Sequence, residues 1–188
     1  MGEFRTSFTA ESRLRTLDLD RFDFGEVFAD HMFSMEFRDG AWSDGEIIPY
    51  GPFVMEPGAM VLHYAQMVFE GMKAFRGVDG VLRLFRPEQN AARLRASCER
   101  MCIPAMDDDL FVRAIEELVR VDQGWVPQKP GYALYIRPLV FSIEPHLAVR
   151  PSRAFRFLVI TSPVGGYFSG RTEGLSLKVE ESLARTAP

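Results

Sequence analysis

Cysteine is nearly absent from this chain of 188 residues, and so is histidine: two of the first, Cys98 and Cys102, and three of the second. Two thiols cannot build a disulfide framework, and their spacing of four on a predicted helix puts both on an apolar face, as buried thiols of a reducing compartment. A cytoplasmic location is expected. His31, His63 and His146 are far apart, with no metal-ligand spacing, so no metal site is expected. No apolar run approaches the roughly 20 residues of a membrane span, and the N-terminus lacks the apolar core of a secretory signal. Basic residues form no stripe and the net charge is −4, which argues against a nucleic-acid partner. No Walker loop, nucleophile elbow or dinucleotide fingerprint occurs. The short run Asp107-Asp108-Asp109 reads as the negatively charged start of a helix rather than a metal cluster.

What is present has the composition of a folded globular chain, 47% hydrophobic and 26% charged. Residues 1–22 form a polar arm, expected to be loosely held. "HMFSMEFRDGAWSDGEIIPYG" alternates apolar and polar residues around Asp39-Gly40, a strong hairpin signal. A second hairpin is predicted in "KAFRGVDGVLRLF" around Asp79-Gly80. Pro87 opens a helix whose apolar stripe is Leu94, Cys98, Met101 and Cys102, with Arg93, Ser97 and Arg100 on another face and Pro104 as the stop. A second helix runs from Asp109 through Val119 until Gly124. Two strand-like runs follow, "YALYIRPLVFSIEP" and "AFRFLVITSPVG". These elements predict an α+β fold, a small domain at 23–164 with a mainly antiparallel sheet and packed helices. Residues 165–174, "GGYFSGRTEG", read as a linker. Residues 175–188 begin as an alternating strand, the expected start of a second domain.

The stretch "LHYAQMVFEGMKAFRG" at 62–77 is ambiguous. Leu62, Gln66, Phe69 and Lys73 fall at helical intervals, yet Gly71 would cost about 1 kcal/mol in a helix interior. It reads either as kinked core packing or as the wall of a binding site. Arg93 by spacing alone is a solvated helix arginine. Tyr135 and Arg137 share one face of a strand, where an unpaired arginine among aliphatic residues would be costly; Glu144 is a candidate partner.

Several separated motifs occur in a definite order: "DHM", "IIPYGP", "LHYAQMVFEGMKAFRG", "LRLFRPEQNAARL", "DQGWVP", "ALYIRPLVFSIEP", "SPVGGYFSG" and "LARTAP". Together they resemble the N-terminal half of a branched-chain amino-acid aminotransferase, of pyridoxal-phosphate fold type IV, from about Phe24 to Pro188. Ala29 and Ala148 depart from the usual threonine and glycine. The resemblance implies a homodimer that moves an amino group between leucine, isoleucine or valine and 2-oxoglutarate with pyridoxal 5'-phosphate. It assigns the cofactor phosphate to Arg93. It assigns the aliphatic side-chain pocket to Phe24, Tyr64 and Phe69, and the carboxylate of glutamate to Arg137 with Tyr135. Leu147 and Val149, in "EPHLAV", would line the neighbouring subunit's pocket, and Tyr167 would be a pocket residue of the linker. Glu70 and His63 are expected to be structural, and Gly71 to permit a close approach of backbone. Of the chain's lysines, Lys73, Lys129 and Lys178, none matches the aldimine lysine, which the resemblance places beyond Pro188. The chain by itself is therefore expected to be inactive. The alternatives are a D-amino-acid aminotransferase or aminodeoxychorismate lyase on the same fold, and a non-catalytic dimerisation module.

Overall fold

The computed structural model describes residues 4–17, 24–165 and 176–182. Among these, nine strands form one sheet, and two long helices cover one of its faces. The strands are β1 (Arg5–Thr6), β2 (His31–Arg38), β3 (Ala41–Trp42), β4 (Glu46–Pro49), β5 (Met67–Phe69), β6 (Met72–Arg76), β7 (Leu82–Leu84), β8 (Ala133–Ser142) and β9 (Phe155–Val164). The helices are α1 (Met60–Tyr64), α2 (Pro87–Arg100) and α3 (Asp108–Val121). The order across the sheet is β1-β4-β2-β9-β8-β6-β7, with β3 on β2 and β5 on β8. Only the β1–β4 pair is parallel, so the α+β, mainly antiparallel expectation is met.

Both predicted hairpins form. Asp39 and Gly40 have φ of 53° and 83° between β2 and β3, the paired positive values that a two-residue turn needs and that Asp-Gly tolerates. In the second, Gly80 has φ of 77° and Ala74 to Arg76 pair with Leu84 to Leu82. The central hairpin joins β8 and β9, paired along their full ten residues from Ala133↔Val164 to Ser142↔Phe155. With a side-chain period of two, this register sends Leu134, Ile136, Val140, Phe155, Phe157 and Val159 to one face, where they meet Leu94 of α2 and Phe111, Ile115 and Leu118 of α3. Tyr135, Arg137 and Leu139 go to the other face.

The helix ends follow the sequence closely. Pro87 occupies the first helical turn of α2, and Asp107 caps α3 by accepting from the amides of Asp109 and Leu110 at 3.0 and 3.1 Å. The α2 stripe, however, stops short of its expected length. Cys98 is buried, which pushes its thiol pKa up to about 11. Cys102, expected beside it, is exposed. It stands one residue past the cap with φ of 53°, while the Ile103 amide returns to the Cys98 carbonyl at 2.9 Å. That is a left-handed helix end usually given to glycine, and it turns the second thiol outward. The stop comes from this cap, two residues before Pro104.

The ambiguous stretch at 62–77 resolves as the end of α1 at Tyr64 followed by β5 and β6, the latter being the first strand of the predicted second hairpin. A further expectation is corrected: the described part of the N-terminal arm is not loose. Beyond β1, the Thr9 amide donates to His31 Nε2 at 3.0 Å, and His31 Nδ1 lies 2.7 Å from Asp122 in the interior. Burial holds the Asp122 carboxyl above its ordinary value despite that partner. Residues 176–182 contain no strand; Lys178 there is exposed and pairs with Glu180 at 3.3 Å.

Candidate active site

Pro138 lies in the middle of β8 and has no N–H to give the neighbouring strand. Phe69 pairs with Leu139 and Met72 with Ile136, one continuous register in which Glu70 and Gly71 face Pro138 and Arg137. Here the ladder lapses between β5 and β6, leaving only the Glu70 amide bonded to the Pro138 carbonyl at 2.9 Å. This two-residue gap organises the site. A β-carbon on Gly71 would stand 2.5 Å from the Tyr135 hydroxyl, so the glycine admits a tyrosine side chain, where a neighbouring backbone was expected.

The Tyr135 hydroxyl accepts from Arg137 Nε and Nη2 at 3.1 and 2.8 Å. The Arg137 guanidinium lies 4.3 Å from the centroid of the Phe69 ring, and Phe24 stands edge-on to Tyr135 at 5.1 Å. Four of the residues singled out in the sequence thus converge. Three of them, Phe24, Tyr135 and Arg137, line a cleft of about 220 Å³ together with Gly25, Phe28, Ile160, Thr161 and Ser162; Phe69 joins the group through Arg137. Among the described residues no carboxylate pairs with Arg137. Glu144, its candidate partner, is taken by Arg150 at 2.6 Å and by the Arg153 amide at 2.7 Å. The Arg150 bond leads the effects that bring the Glu144 carboxyl down to about 2. The cleft therefore presents a guanidinium and a phenol hydroxyl beside aromatic and aliphatic walls. Such a lining suits a small molecule with an apolar or a carboxylate-bearing side chain.

Arg93 is reached through the same gap. Glu70 accepts from Arg93 Nε and Nη2 at 3.0 and 2.8 Å and from Asn90 Nδ2 at 2.8 Å; Asn90 also reaches the Gly71 carbonyl at 3.3 Å. Glu70 thus anchors Arg93, whose side chain is 62% exposed, and the Glu70 bond shifts the guanidinium pKa upward. Asn90 was not singled out from the sequence, although it stands one helical turn before Arg93 on the same side of α2. Phe28 was missed as well; its only local signal is its place four residues after Phe24.

Tyr64 belongs to a different group. Its hydroxyl donates to the Leu147 carbonyl. The segment before α1 is laced to the same loop through Met60 N to Glu144 O at 3.0 Å and His146 N to Gly58 O at 3.0 Å. Leu147 and Val149 are exposed there, and His63 bonds the Pro57 carbonyl at 2.9 Å. Phe69 and Tyr64, expected as walls of one pocket, thus stand in separate contact groups, one with Arg137 and the other with Leu147. Tyr167 lies outside the described residues. A larger hollow of about 590 Å³ near the β2–β3 turn is lined by Trp42, Phe53 and Arg156. Its arginines Arg38 and Arg156 are both paired to Glu36, so it lacks an uncommitted cation for an acid.

Comparison with known proteins decides the family. The chain is 46% identical over 167 residues to a branched-chain-amino-acid aminotransferase of Mycobacterium tuberculosis, covering 88% of this chain and 45% of that protein. It is 44% identical over 167 residues to the aminotransferase of Mycolicibacterium smegmatis, with the same coverage of 88% and 45%. To branched-chain-amino-acid transaminase 1 of Bacillus subtilis it is 43% identical over 164 residues, 86% of this chain and 46% of the relative. The chain belongs to the branched-chain aminotransferase family. It spans about half the length of the curated relatives it matches. No protein-family model matches it. The fold agrees with the Escherichia coli branched-chain amino acid aminotransferase at a TM-score of 0.58 and 21% identity, covering 75% of this chain and 42% of that one. It also agrees with a second branched-chain amino acid aminotransferase, solved with pyridoxamine 5'-phosphate, at a TM-score of 0.51 and 24% identity over 72% of this chain and 41% of that one. At such identities the structural likeness speaks for the fold alone. In this member of the family, the gap at Glu70 and Gly71 is where Arg93 and Arg137, two of the residues singled out in the sequence, are held.

Proposed function

We propose that the protein containing this chain transfers the amino group between L-leucine, L-isoleucine or L-valine and 2-oxoglutarate, using pyridoxal 5'-phosphate. The observation that carries this reading is the cleft in which Arg137 is bonded to Tyr135 and stacked on Phe69, with no carboxylate partner among the described residues. One site must accept both an aliphatic side chain and a carboxylate, and that lining supplies a surface for each. Phe24 and Phe69 take the methyl groups, where each buried CH₂ contributes about 0.8 kcal/mol. Arg137 and the hydrogen on the Tyr135 hydroxyl meet the distal carboxylate of glutamate or 2-oxoglutarate, a charge-assisted contact of about 1.5–3 kcal/mol. When leucine is bound, Tyr135 and the ring face of Phe69 still satisfy the guanidinium, so the charge is not stranded.

Arg93 fits a phosphate oxygen with the edge that Glu70 leaves open. Glu70 fixes the other edge, so the guanidinium is oriented before the anion arrives. Pyridoxal phosphate, when bound, supplies the electron sink that lets the substrate's α-proton leave. One exposed arginine beside a carboxylate holds such a group weakly, so we assign the remaining contacts to parts of the protein other than the described cleft. None of the chain's lysines faces that cleft as a buried amine: Lys73, Lys129 and Lys178 are all exposed. Residues 1–188 alone are therefore expected to show no leucine turnover. Borohydride reduction with pyridoxal phosphate should leave no stoichiometric adduct in the intact mass.

The reading extends to a homodimer. Tyr64 is tied to the loop bearing Leu147 and Val149, so whatever pocket that loop serves, Tyr64 serves with it. Both lie on the proposed face toward a second subunit, and Tyr167 is proposed to complete the pocket. The decisive experiment is a substrate screen of the full-length protein. Turnover of L-leucine with 2-oxoglutarate, and none of D-alanine, is expected; D-alanine turnover without L-leucine turnover would overturn the proposal.

A further inference from the structure

Residues 24–28 supply one wall of the cleft, through Phe24 and Phe28, yet no regular element contains them. What holds this wall lies in the N-terminal segment. Arg13 Nη2 donates to the carbonyls of Phe28 and Ala29 at 3.0 and 2.6 Å. Its guanidinium carbon lies 5.3 Å from the ring centroid of Tyr50, and Tyr50 stacks on Phe28 at 4.9 Å with 10° between the planes. Arg13 is itself pinned. Its amide donates to Asp30 Oδ1 at 3.0 Å, and its Nε lies 3.6 Å from the same atom. Asp30 is buried and also accepts from Ser12 Oγ at 2.6 Å and Trp125 Nε1 at 2.9 Å. Burial pushes the Asp30 carboxyl upward, but the bonds from Ser12, Trp125 and Arg13 outweigh it and leave it below its ordinary value, so it stays an anion at neutral pH.

We propose that Arg13 is a positioning residue for the substrate cleft: with Asp30 as its anchor, it holds residues 24–29 so that Phe24 stands against Tyr135 and Phe28 lines the same cleft. The proposal rests on the aminotransferase reading of that cleft. It gives the polar N-terminal segment a task that composition did not suggest, since a guanidinium capping two successive carbonyls fixes a stretch that has few backbone bonds of its own. The Ala29 amide, bonded to Thr161 O at 2.9 Å, is the point where this wall meets β9. A planar fork is the suitable group, because it donates to the carbonyls while remaining paired to Asp30. A lysine could reach one partner and not all.

The test uses the full-length protein with Arg13→Ala and Arg13→Lys, read by hydrogen exchange and by leucine kinetics. In Arg13→Ala, exchange across residues 24–29 should accelerate about tenfold or more, the scale of one charge-assisted hydrogen bond. Amides of β8 and β9 should keep their protection, which separates loss of the wall from loss of the fold. The KM for leucine should rise several-fold with kcat within about twofold, and Arg13→Lys should recover part of both effects. Unchanged exchange at 24–29 overturns the proposal, as does faster exchange with an unchanged KM. If Arg13→Ala loses protection in β8 and β9 as well, Arg13→Lys decides by the same two readouts. A wild-type protein without leucine turnover would refute the aminotransferase reading, which is a separate failure from an unbraced wall.

Discussion

On one face of the β8–β9 hairpin, Leu134, Ile136, Val140, Phe155 and Phe157 are closed over by α2 and α3; on the other, Tyr135, Arg137 and Leu139 are left half-exposed. The two sets alternate along the same strands and share one hydrogen-bond register, so the backbone does not distinguish them. Side-chain chemistry and the covering elements do. The helix-covered face is apolar apart from the buried hydroxyls of Ser142 and Thr161, and a change of volume there is felt by the packing around it. The open face combines a cation, a phenol and an aromatic ring beside a two-residue lapse in the ladder, and changes there should register in binding before they register in stability.

That contrast should break first at Phe157. It is fully buried and touches the rings of Phe33 and Phe111 with centroids 5.7 and 6.0 Å away. Phe157→Ala is expected to destabilise the domain by about 3–5 kcal/mol in chemical denaturation. Phe69→Ala, on the open face and 56% exposed, should cost about 1 kcal/mol or less, chiefly the lost contact with Arg137. Equal losses would mean that the open face is structural too.

Gly71→Ala probes the lapse itself. The added methyl must displace the Tyr135 hydroxyl, and Tyr135 is held by both Arg137 and Phe24. An overpacking cost of about 1–3 kcal/mol is expected, carried by the proposed substrate cleft: KM for leucine and glutamate should both rise in the full-length protein. A variant with wild-type kinetics would show that the close approach has no bearing on the site.

The smallest effect concerns pH and the loop bearing Leu147. Glu144 is bonded to Arg150 and the Arg153 amide, and its carboxyl sits at about 2, below the value of roughly 4.3 for an unperturbed glutamate. A depressed carboxyl contributes stability that is full above the unperturbed value and is lost as pH falls through the folded one. The loop should thus stay latched at pH 5 and loosen between about pH 4.3 and pH 2. The Arg153 amide shift, followed by NMR, should titrate with a midpoint near 2, and Glu144→Gln should remove that titration. A midpoint near the unperturbed value would show that the Arg150 bond is not held in solution.

Much of this contrast was legible in the sequence where the signal is local. Asp39-Gly40, Pro87 and Asp107 each set their own backbone geometry, and the turn or cap forms where the residues say it should. The strand period of two put Tyr135 and Arg137 on one face of the run that became β8 before any partner was known. Residues 62–77 stayed ambiguous because their partner is β8, about 70 residues on: helical spacing of Leu62, Gln66, Phe69 and Lys73 is a coincidence that only strand pairing resolves. Cys102 was misplaced because a cysteine took the left-handed cap position that glycine usually marks. The N-terminal arm looked unattached because its anchors, His31, Asp30, Asp122 and Trp125, are remote in sequence. For the site residues, periodicity placed Tyr135 and Arg137 together, whereas the resemblance alone brought in Phe24 and Arg93. The grouping of Tyr64 with Leu147 required a hydrogen bond that spans 83 residues.

Arg137 is the group proposed to let one cleft serve two kinds of side chain, and the kinetics of Arg137→Leu in the full-length protein test that role most directly. KM should be measured for leucine and for 2-oxoglutarate on the same preparation. Loss of a charge-assisted contact of about 1.5–3 kcal/mol should raise KM for 2-oxoglutarate by roughly one to two decades and leave that for leucine within about twofold. Equal increases for both substrates would contradict the account and assign Arg137 to holding Tyr135 and Phe69 in place.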